Sequence, residues 1–228
     1  MQKRVLEVRR LGRIDYDAAL ELQSEIEREV IEQRAADYLL LLEHPHTYTL
    51  GRRAKTASGV LASAAILENL GAKVYETNRG GKVTYHGDGQ IVGYPIVNLS
   101  PDREDVHRYV RDLEEVLIRT LANFGVAAFR IENLTGVHTA EGKIAAIGVH
   151  LKRWVTTHGF ALNVNTDLSY FDWIIACEGE PVTSLERLLG REIGLTEVED
   201  RIIENFRAVF DYQIEKTAKR GQLAQISI

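Results

Sequence analysis

A chain of 228 residues that is 45 % apolar and 27 % charged has the size and balance of one globular domain, and no apolar run approaches the roughly 18 residues that a membrane span needs. A net charge of −5 and a pI near 5.8 give no electrostatic reason to expect a nucleic-acid partner, since such proteins carry a basic face. One cysteine, Cys177, excludes an intrachain disulfide and any multi-cysteine zinc or iron–sulfur site, and fits a reducing compartment.

The first ten residues lack the apolar core of a secretory signal, so a cytoplasmic location is expected; Val5 to Val8 alternate like a strand. From about Asp17 to Arg34 the spacing predicts an acidic amphipathic helix with Ala18, Leu22 and Ile26 on one face, followed by a buried strand at Tyr38 to Glu43 that His46 to Leu50 extends or pairs with. Ala62 to Leu70 reads as a helix stopped by Gly71. Lys73 to Thr77, Lys82 to His86 and Gln90 to Asn98 read as three strands of a meander. Ser100-Pro101 then opens the clearest helix, with Val106, Val110, Leu113, Leu117, Leu121 and Phe124 at helical spacing and Gly125 ending it. Further strands are expected at Ala127 to Ile131, Lys143 to Lys152 and Trp154 to Asn165, the last two joined as a hairpin. Thr196 and Glu199 form a capping box for a final helix. Strands in groups without regular βαβ alternation suggest an α+β fold, one domain on a mixed or antiparallel sheet.

The densest feature is Arg79 to Pro95, which sets five glycines among arginine, lysine, threonine, tyrosine and histidine in seventeen positions. Glycine is favoured where backbone must take φ > 0 or let another group approach closely, so the segment is shaped around a ligand or a neighbouring strand. No nucleotide loop is found elsewhere: Gly136 to Lys143 has five residues between its glycines where a P-loop has four, Ile144 replaces the Ser/Thr, and no G-x-G-x-x-G opens a helix. His44 and His46 lack the further ligands of a zinc site, and G-x-S-x-G is absent. On composition alone Cys177 is a small buried hydrophobe or a thiol nucleophile. Lys143, between Gly142 and Ile144, is a solvated strand-start lysine or a desolvated base.

Taken together, Glu43-His-Pro45 with Tyr48-Thr-Leu-Gly51, Arg79 to Gln90 with Gly93-Tyr-Pro95, Gly142 to Gly148, His158 to Val164, and Cys177 with Val182-Thr-Ser184 resemble the lipoyl(octanoyl) transferase family over most of the chain. That resemblance implies a lipoate-ligase/biotin-ligase-like fold (class II aminoacyl-tRNA synthetase/biotin synthetase-like), with no metal and no cofactor. The catalytic domain is expected at 1–215, while 216–228, polar and then weakly apolar, reads as a C-terminal tail that frays. The resemblance implies transfer of an octanoyl (or lipoyl) group from acyl carrier protein to a lysine of the lipoyl domains of 2-oxoacid dehydrogenases and the glycine-cleavage H protein. Carried over by motif, Cys177 forms the acyl-thioester and Lys143 activates it. Arg79-Gly80-Gly81-Lys82-Val83-Thr84-Tyr85-His86, Ala146-Ile147-Gly148 and Gly159-Phe160-Ala161 line the acyl site.

Ile147, Val149, Phe160 and Leu162 are the candidate acyl-slot walls, with ordinary core as the alternative, and Arg52, Arg53, Lys82, Lys152 and Arg153 are candidates for docking acidic partners, with scattered solubilising charge as the alternative. The chain departs from the family at Asp88, where proline is usual, at His138, where tryptophan is usual, and at Ala176 and Glu178 beside the cysteine, with Glu178 expected to face solvent. An ATP-dependent lipoate-protein ligase and a non-catalytic binder of lipoyl domains or carrier protein stand as the alternatives.

Overall fold

The computed structural model describes residues 4–54, 59–175 and 180–218. Strand β1 (Arg4–Arg13), helix α1 (Tyr16–Ile31) and strand β2 (Asp37–Glu43) form a βαβ unit, with β1 and β2 parallel. The helix buries Tyr16, Ala19, Gln23, Ile26 and Val30. The expected stripe is therefore rotated: Ala18 is exposed and a polar residue, Gln23, sits on the inner face. All of β2 but its last residue is buried, because both faces are covered. Leu39 and Leu41 enter one core, and Tyr38, Leu40 and Leu42 the other.

Strand β3 (Thr47–Leu50), the short helix α2 (Ala64–Asn69), β4 (Lys73–Glu76) and β5 (Val83–His86) follow. They build a separate three-stranded sheet in the order β4-β3-β5, with β4 parallel to β3. The next strand, β6 (Gln90–Ile96), leaves it and pairs antiparallel with β2, which overturns the expected meander. Helix α3 runs Val106–Asn123, its cap being Asp105, whose carboxylate accepts the Arg108 N–H at 3.0 Å. The Ser100-Pro101 start is thus corrected: an N-cap satisfies one of the first unpaired N–H groups, and Asp105 does so here. The expected strand at Ala127 to Ile131 is only a bridge from Phe129 to His138.

Strands β7 (Val137–Thr139), β8 (Gly142–Lys152) and β9 (Val155–Asn163) complete one edge. The hairpin between β8 and β9 closes Lys152 on Val155 through Arg153 and Trp154, both at positive φ (50° and 64°), as a two-residue type I′ turn requires. After a 3₁₀ turn at Leu168–Trp173 come α4 (Leu185–Leu189), α5 (Leu195–Phe210) and β10 (Tyr212–Ala218). Gly194 caps α5, so Thr196 and Glu199 lie inside the helix and the expected capping box does not form. Glu199 is buried against Arg10 (3.7 Å). Strand β10 carries the sheet to Ala218, past residue 216 where the tail was expected to begin.

The large sheet runs β10-β1-β2-β6-β9-β8-β7, parallel over its first three strands and antiparallel thereafter, the mixed α+β arrangement expected. Helices α3 and α5 cover one face through Leu113, Leu117, Ile202 and Phe206. Helix α1 covers part of the other through Ala19, Ile26 and Val30. The small sheet stands beside α1, joined to β8 where the Gly80 N–H reaches Val149 O at 2.9 Å. No described helix is long and apolar enough to cross a membrane.

Candidate active site

A cavity of about 230 Å³ opens between the small sheet and strands β8 and β9. Two adjacent cross-strand pairs make its floor: Ala146 stands opposite Ala161, and Gly148 opposite Gly159. Residues paired directly across a ladder point to the same face, so four small residues leave a trough where larger ones would fill it. Gly148 also has to be small, because a Cβ there would lie 2.8 Å from Gly80 O and 3.2 Å from Arg79 Cδ. Ile147 and Phe160 border the cavity by their place on the same strands. Their side chains, with those of Val149 and Leu162, belong to the core under α3 and α5. The expected apolar walls are thereby corrected, since period-two alternation sends these four to the opposite face.

From the glycine segment, Arg79, Gly81, Lys82, Val83, Thr84 and His86 line the cavity. Gly80 instead ties the segment to β8, and Tyr85 points away, buried with Tyr48, Leu50, Val83 and Ile174. Its hydroxyl bonds His46 Nδ1 at 2.7 Å. Arg79 is buried and fixed: Nε and Nη2 donate to Thr49 Oγ1 (3.0 and 2.8 Å), Nη2 also to Thr49 O (2.6 Å), and Nη1 to Gly80 O (2.9 Å). Its charge adds to the burial that lowers the pKa of His86 and His158.

His86 and His158 line the cavity, and His44 is buried behind them. His86 Nδ1–H donates to Gln90 Oε1 (2.8 Å), because Gln90 spends its Nε2 protons on Tyr85 O (3.1 Å) and Asn163 Oδ1 (2.9 Å). Asn163 Nδ2 donates onward to Thr183 O at 3.0 Å. Burial lowers the His86 pKa well below its ordinary value, helped by His44 and Arg79. Burial holds His44 and His158 each at about 4. His44 donates from Nδ1 to Ile14 O (2.9 Å) and accepts from the Tyr94 hydroxyl at Nε2 (2.8 Å). His158 takes φ +57° within β9, a conformation that costs a non-glycine residue energy. Gln23 Oε1 accepts its backbone N–H (2.7 Å) and Asn78 Oδ1 its Nε2–H (2.7 Å).

Lys143 lies on β8, nine-tenths buried, and lines the cavity. Its Nζ donates to Thr135 O at 3.0 Å. Gly136 lets the stem pass, since a Cβ there would come within 2.7 Å of Lys143 Cε. The 133–136 loop is anchored from behind by Glu114 of α3. That buried carboxylate accepts the Gly136 N–H (3.0 Å), while Arg111 and Arg130 donate to it (2.8 and 3.1 Å). On its other side the Lys143 backbone pairs in parallel with Val182, its N–H reaching Pro181 O (2.8 Å) and its carbonyl accepting the Thr183 N–H (3.0 Å). The structure thus brings the chain that follows the cysteine segment directly against Lys143. Cys177 lies outside the described residues, as do Ala176 and Glu178.

Among the described residues no three His, Cys, Asp or Glu side chains converge as metal ligands, and His46 is engaged with Tyr85 and, at 3.2 Å, with Tyr170. Arg53 and Lys82 stand at the cavity and Arg52 beside them, whereas Lys152 and Arg153 sit on the distant β8–β9 hairpin, so the expected basic candidates fall into two groups. Sequence reasoning passed over Tyr16, Tyr94 and Glu180 as lining residues and Glu114 as the loop anchor.

The sequence matches the family described as the lipoyl protein ligase A/B catalytic domain over residues 15–207. The chain belongs to that family. Relatives named octanoyltransferase include one from Solibacter usitatus, 53 % identical over 208 residues that cover 91 % of this chain and 94 % of that protein. Another, from Rubrobacter xylanophilus, is 51 % identical over 212 residues covering 91 % and 95 %. Among solved structures, a lipoate-protein ligase A bound with ATP superposes with a TM-score of 0.73 at 16 % identity, over 97 % of this chain and 91 % of that one. A biotin protein ligase from Aquifex aeolicus in complex with biotin and ATP gives 0.55 at 11 %, over 90 % and 70 %. At those identities the likeness is one of fold.

Within this lipoyl protein ligase A/B family chain, two departures noted from sequence now have physical accounts. Asp88 faces outward and takes Arg13 with both carboxylate oxygens (Nε–Oδ1 2.5 Å, Nη2–Oδ2 3.4 Å). His138, on β7 opposite Lys143, is buried and contacts Glu180.

Proposed function

We propose that this chain transfers an octanoyl (or lipoyl) group from the thioester of acyl carrier protein to a specific lysine of a lipoyl domain, through an acyl-thioester on Cys177. Its acceptors in lipoate biosynthesis are the lipoyl domains of 2-oxoacid dehydrogenases and the glycine-cleavage H protein. The observation that carries this reading is the placement of Lys143. A nearly buried lysine at the rim of a small-residue trough is bonded through its backbone to the residues that directly follow the cysteine segment. The curated relatives named octanoyltransferase support the same reaction.

In the first half-reaction the Cys177 thiolate attacks the donor carbonyl, the oxyanion collapses, and the carrier thiolate leaves with the proton of the Lys143 ammonium. In the second, neutral Lys143 takes a proton from the acceptor lysine. The freed amine then attacks the thioester, the tetrahedral nitrogen releases its second proton to solvent, the amide forms, and the Cys177 thiolate leaves to pair again with the Lys143 ammonium. Thioester to thioester to amide needs no ATP, no metal and no cofactor. The trough takes the alkyl chain, each buried CH₂ contributing about 0.8 kcal/mol. The reaction is assigned to the cytoplasm, where a lone thiol stays reduced.

A purified-component assay tests this. Octanoyl carrier protein and a lipoyl domain are expected to give an amide-linked octanoyl group without nucleotide. Activity only with free lipoate and ATP would instead make the chain a ligase.

A further inference from the structure

Taking the acyl-transfer reading as its basis, we propose that Glu180 receives the ammonium of the acceptor lysine and that His138 is the residue positioning it. Among the described residues lining the cavity, Arg53, Arg79, Lys82 and Lys143 are cationic, and Glu180 is the one carboxylate. The donor brings a neutral thioester and meets no electrostatic obstacle there. The acceptor does, because a lysine with an ordinary pKa of about 10.4 arrives as an ammonium and has to pass the cationic Arg53, Arg79 and Lys82 to reach the Lys143 amine, which is neutral once the enzyme is loaded. A carboxylate at the same rim offsets that repulsion and holds the ammonium where Lys143 can take its proton.

The geometry around Glu180 fits a group held for a purpose. Its side chain is 23 % exposed, whereas that of its partner His138 is 3 % exposed. His138 Nε2–H donates to Glu180 Oε2 at 3.3 Å, and a carboxylate with two oxygens keeps capacity for a further donor. The His138 backbone is held on both sides: it exchanges two hydrogen bonds with Phe129 (2.8 and 3.0 Å) and its ladder partner is Lys143. Its Nδ1 is buried with no hydrogen-bond partner. An orphaned buried ring nitrogen is a stability cost, and aiming Glu180 is the return.

The test separates the two half-reactions by intact mass. Wild-type enzyme is loaded from octanoyl carrier protein, then mixed with a lipoyl domain. Glu180→Gln is expected to load at the wild-type rate but to discharge onto the lipoyl domain about 10- to 100-fold more slowly, the loss expected when a hydrogen bond to a charged group is removed. Glu180→Asp should retain part of the rate, and His138→Phe should slow discharge while sparing loading. Hydroxylamine, a nucleophile uncharged at neutral pH, should discharge wild type and Glu180→Gln equally. Wild-type discharge by Glu180→Gln, or an equal loss in both halves, would overturn the assignment. A wild-type protein that takes no octanoyl group would instead overturn the acyl-transfer reading and the role of Glu180 with it.

Discussion

Lys143 gathers the local physics of the site in one side chain. Removing an ammonium from water is costly unless donors and acceptors replace the solvent, and here Thr135 O, positioned through Glu114 and Gly136, supplies one partner. Replacing it with an uncharged chain of similar length should leave folding intact while removing the proposed acid–base group. Lys143→Met is expected to lower kcat with octanoyl carrier protein about 10²- to 10⁴-fold with an unchanged melting temperature. Activity within ten-fold of wild type would contradict the assignment. Residues of this kind were legible in the sequence only where type and setting coincided. Lys143 between Gly142 and Ile144 stood out, whereas Tyr85 looked like a lining residue and is core, because which face a strand residue takes depends on a register set by Thr47 to Leu50. Nor could Asp88 be understood from neighbours in sequence, as its partner Arg13 comes from the far end of β1.

Among the elements, β8 and β9 make the trough. Their alternation places Ala146, Gly148, Gly159 and Ala161 on the cavity face and Ile147, Val149, Phe160 and Leu162 on the core face. On the proposed acyl transfer, chain-length selection belongs to the small residues. Ala146→Leu should exclude about two CH₂ groups of an octanoyl chain, a cost of about 1.6 kcal/mol or roughly fifteen-fold in kcat/KM, and should spare a butanoyl donor. Equal losses with both donors would show that position 146 does not meet the alkyl chain. The paired strands were readable in advance because each is long, glycine-punctuated and apolar. Strand β7 was not, having three residues and no periodicity, and the start of α3 was misplaced because Ser100-Pro101 imitates a capped first turn that Asp105 actually provides. Glu114 left a faint trace, a carboxylate between the apolar Leu113 and Val116 on the inner side of its helix.

For the whole molecule, the mixed sheet was inferable from the order of strands and helices. The split into two sheets was not, since β6 joins β2 across a long sequence separation that no local pattern encodes. That split creates the cavity and buries the histidines beneath it, which carries a stability signature. His44 and His158, at about 4 in the folded chain, bind protons in the unfolded chain at an ordinary 6.5. Their contribution is complete above about pH 6.5 and is lost as pH falls toward 4. Between pH 7 and pH 5 the two together should lower unfolding free energy by about 4 kcal/mol, with His86 acting in the same direction. A urea midpoint unchanged between those pH values would show that these groups titrate normally. The central claim, the proposed covalent transfer through Cys177, is tested most directly by intact-mass measurement after mixing the protein with octanoyl carrier protein alone. One octanoyl adduct is expected on the wild-type chain and none on Cys177→Ala. An adduct of equal yield on Cys177→Ala, or none on wild type, would contradict it.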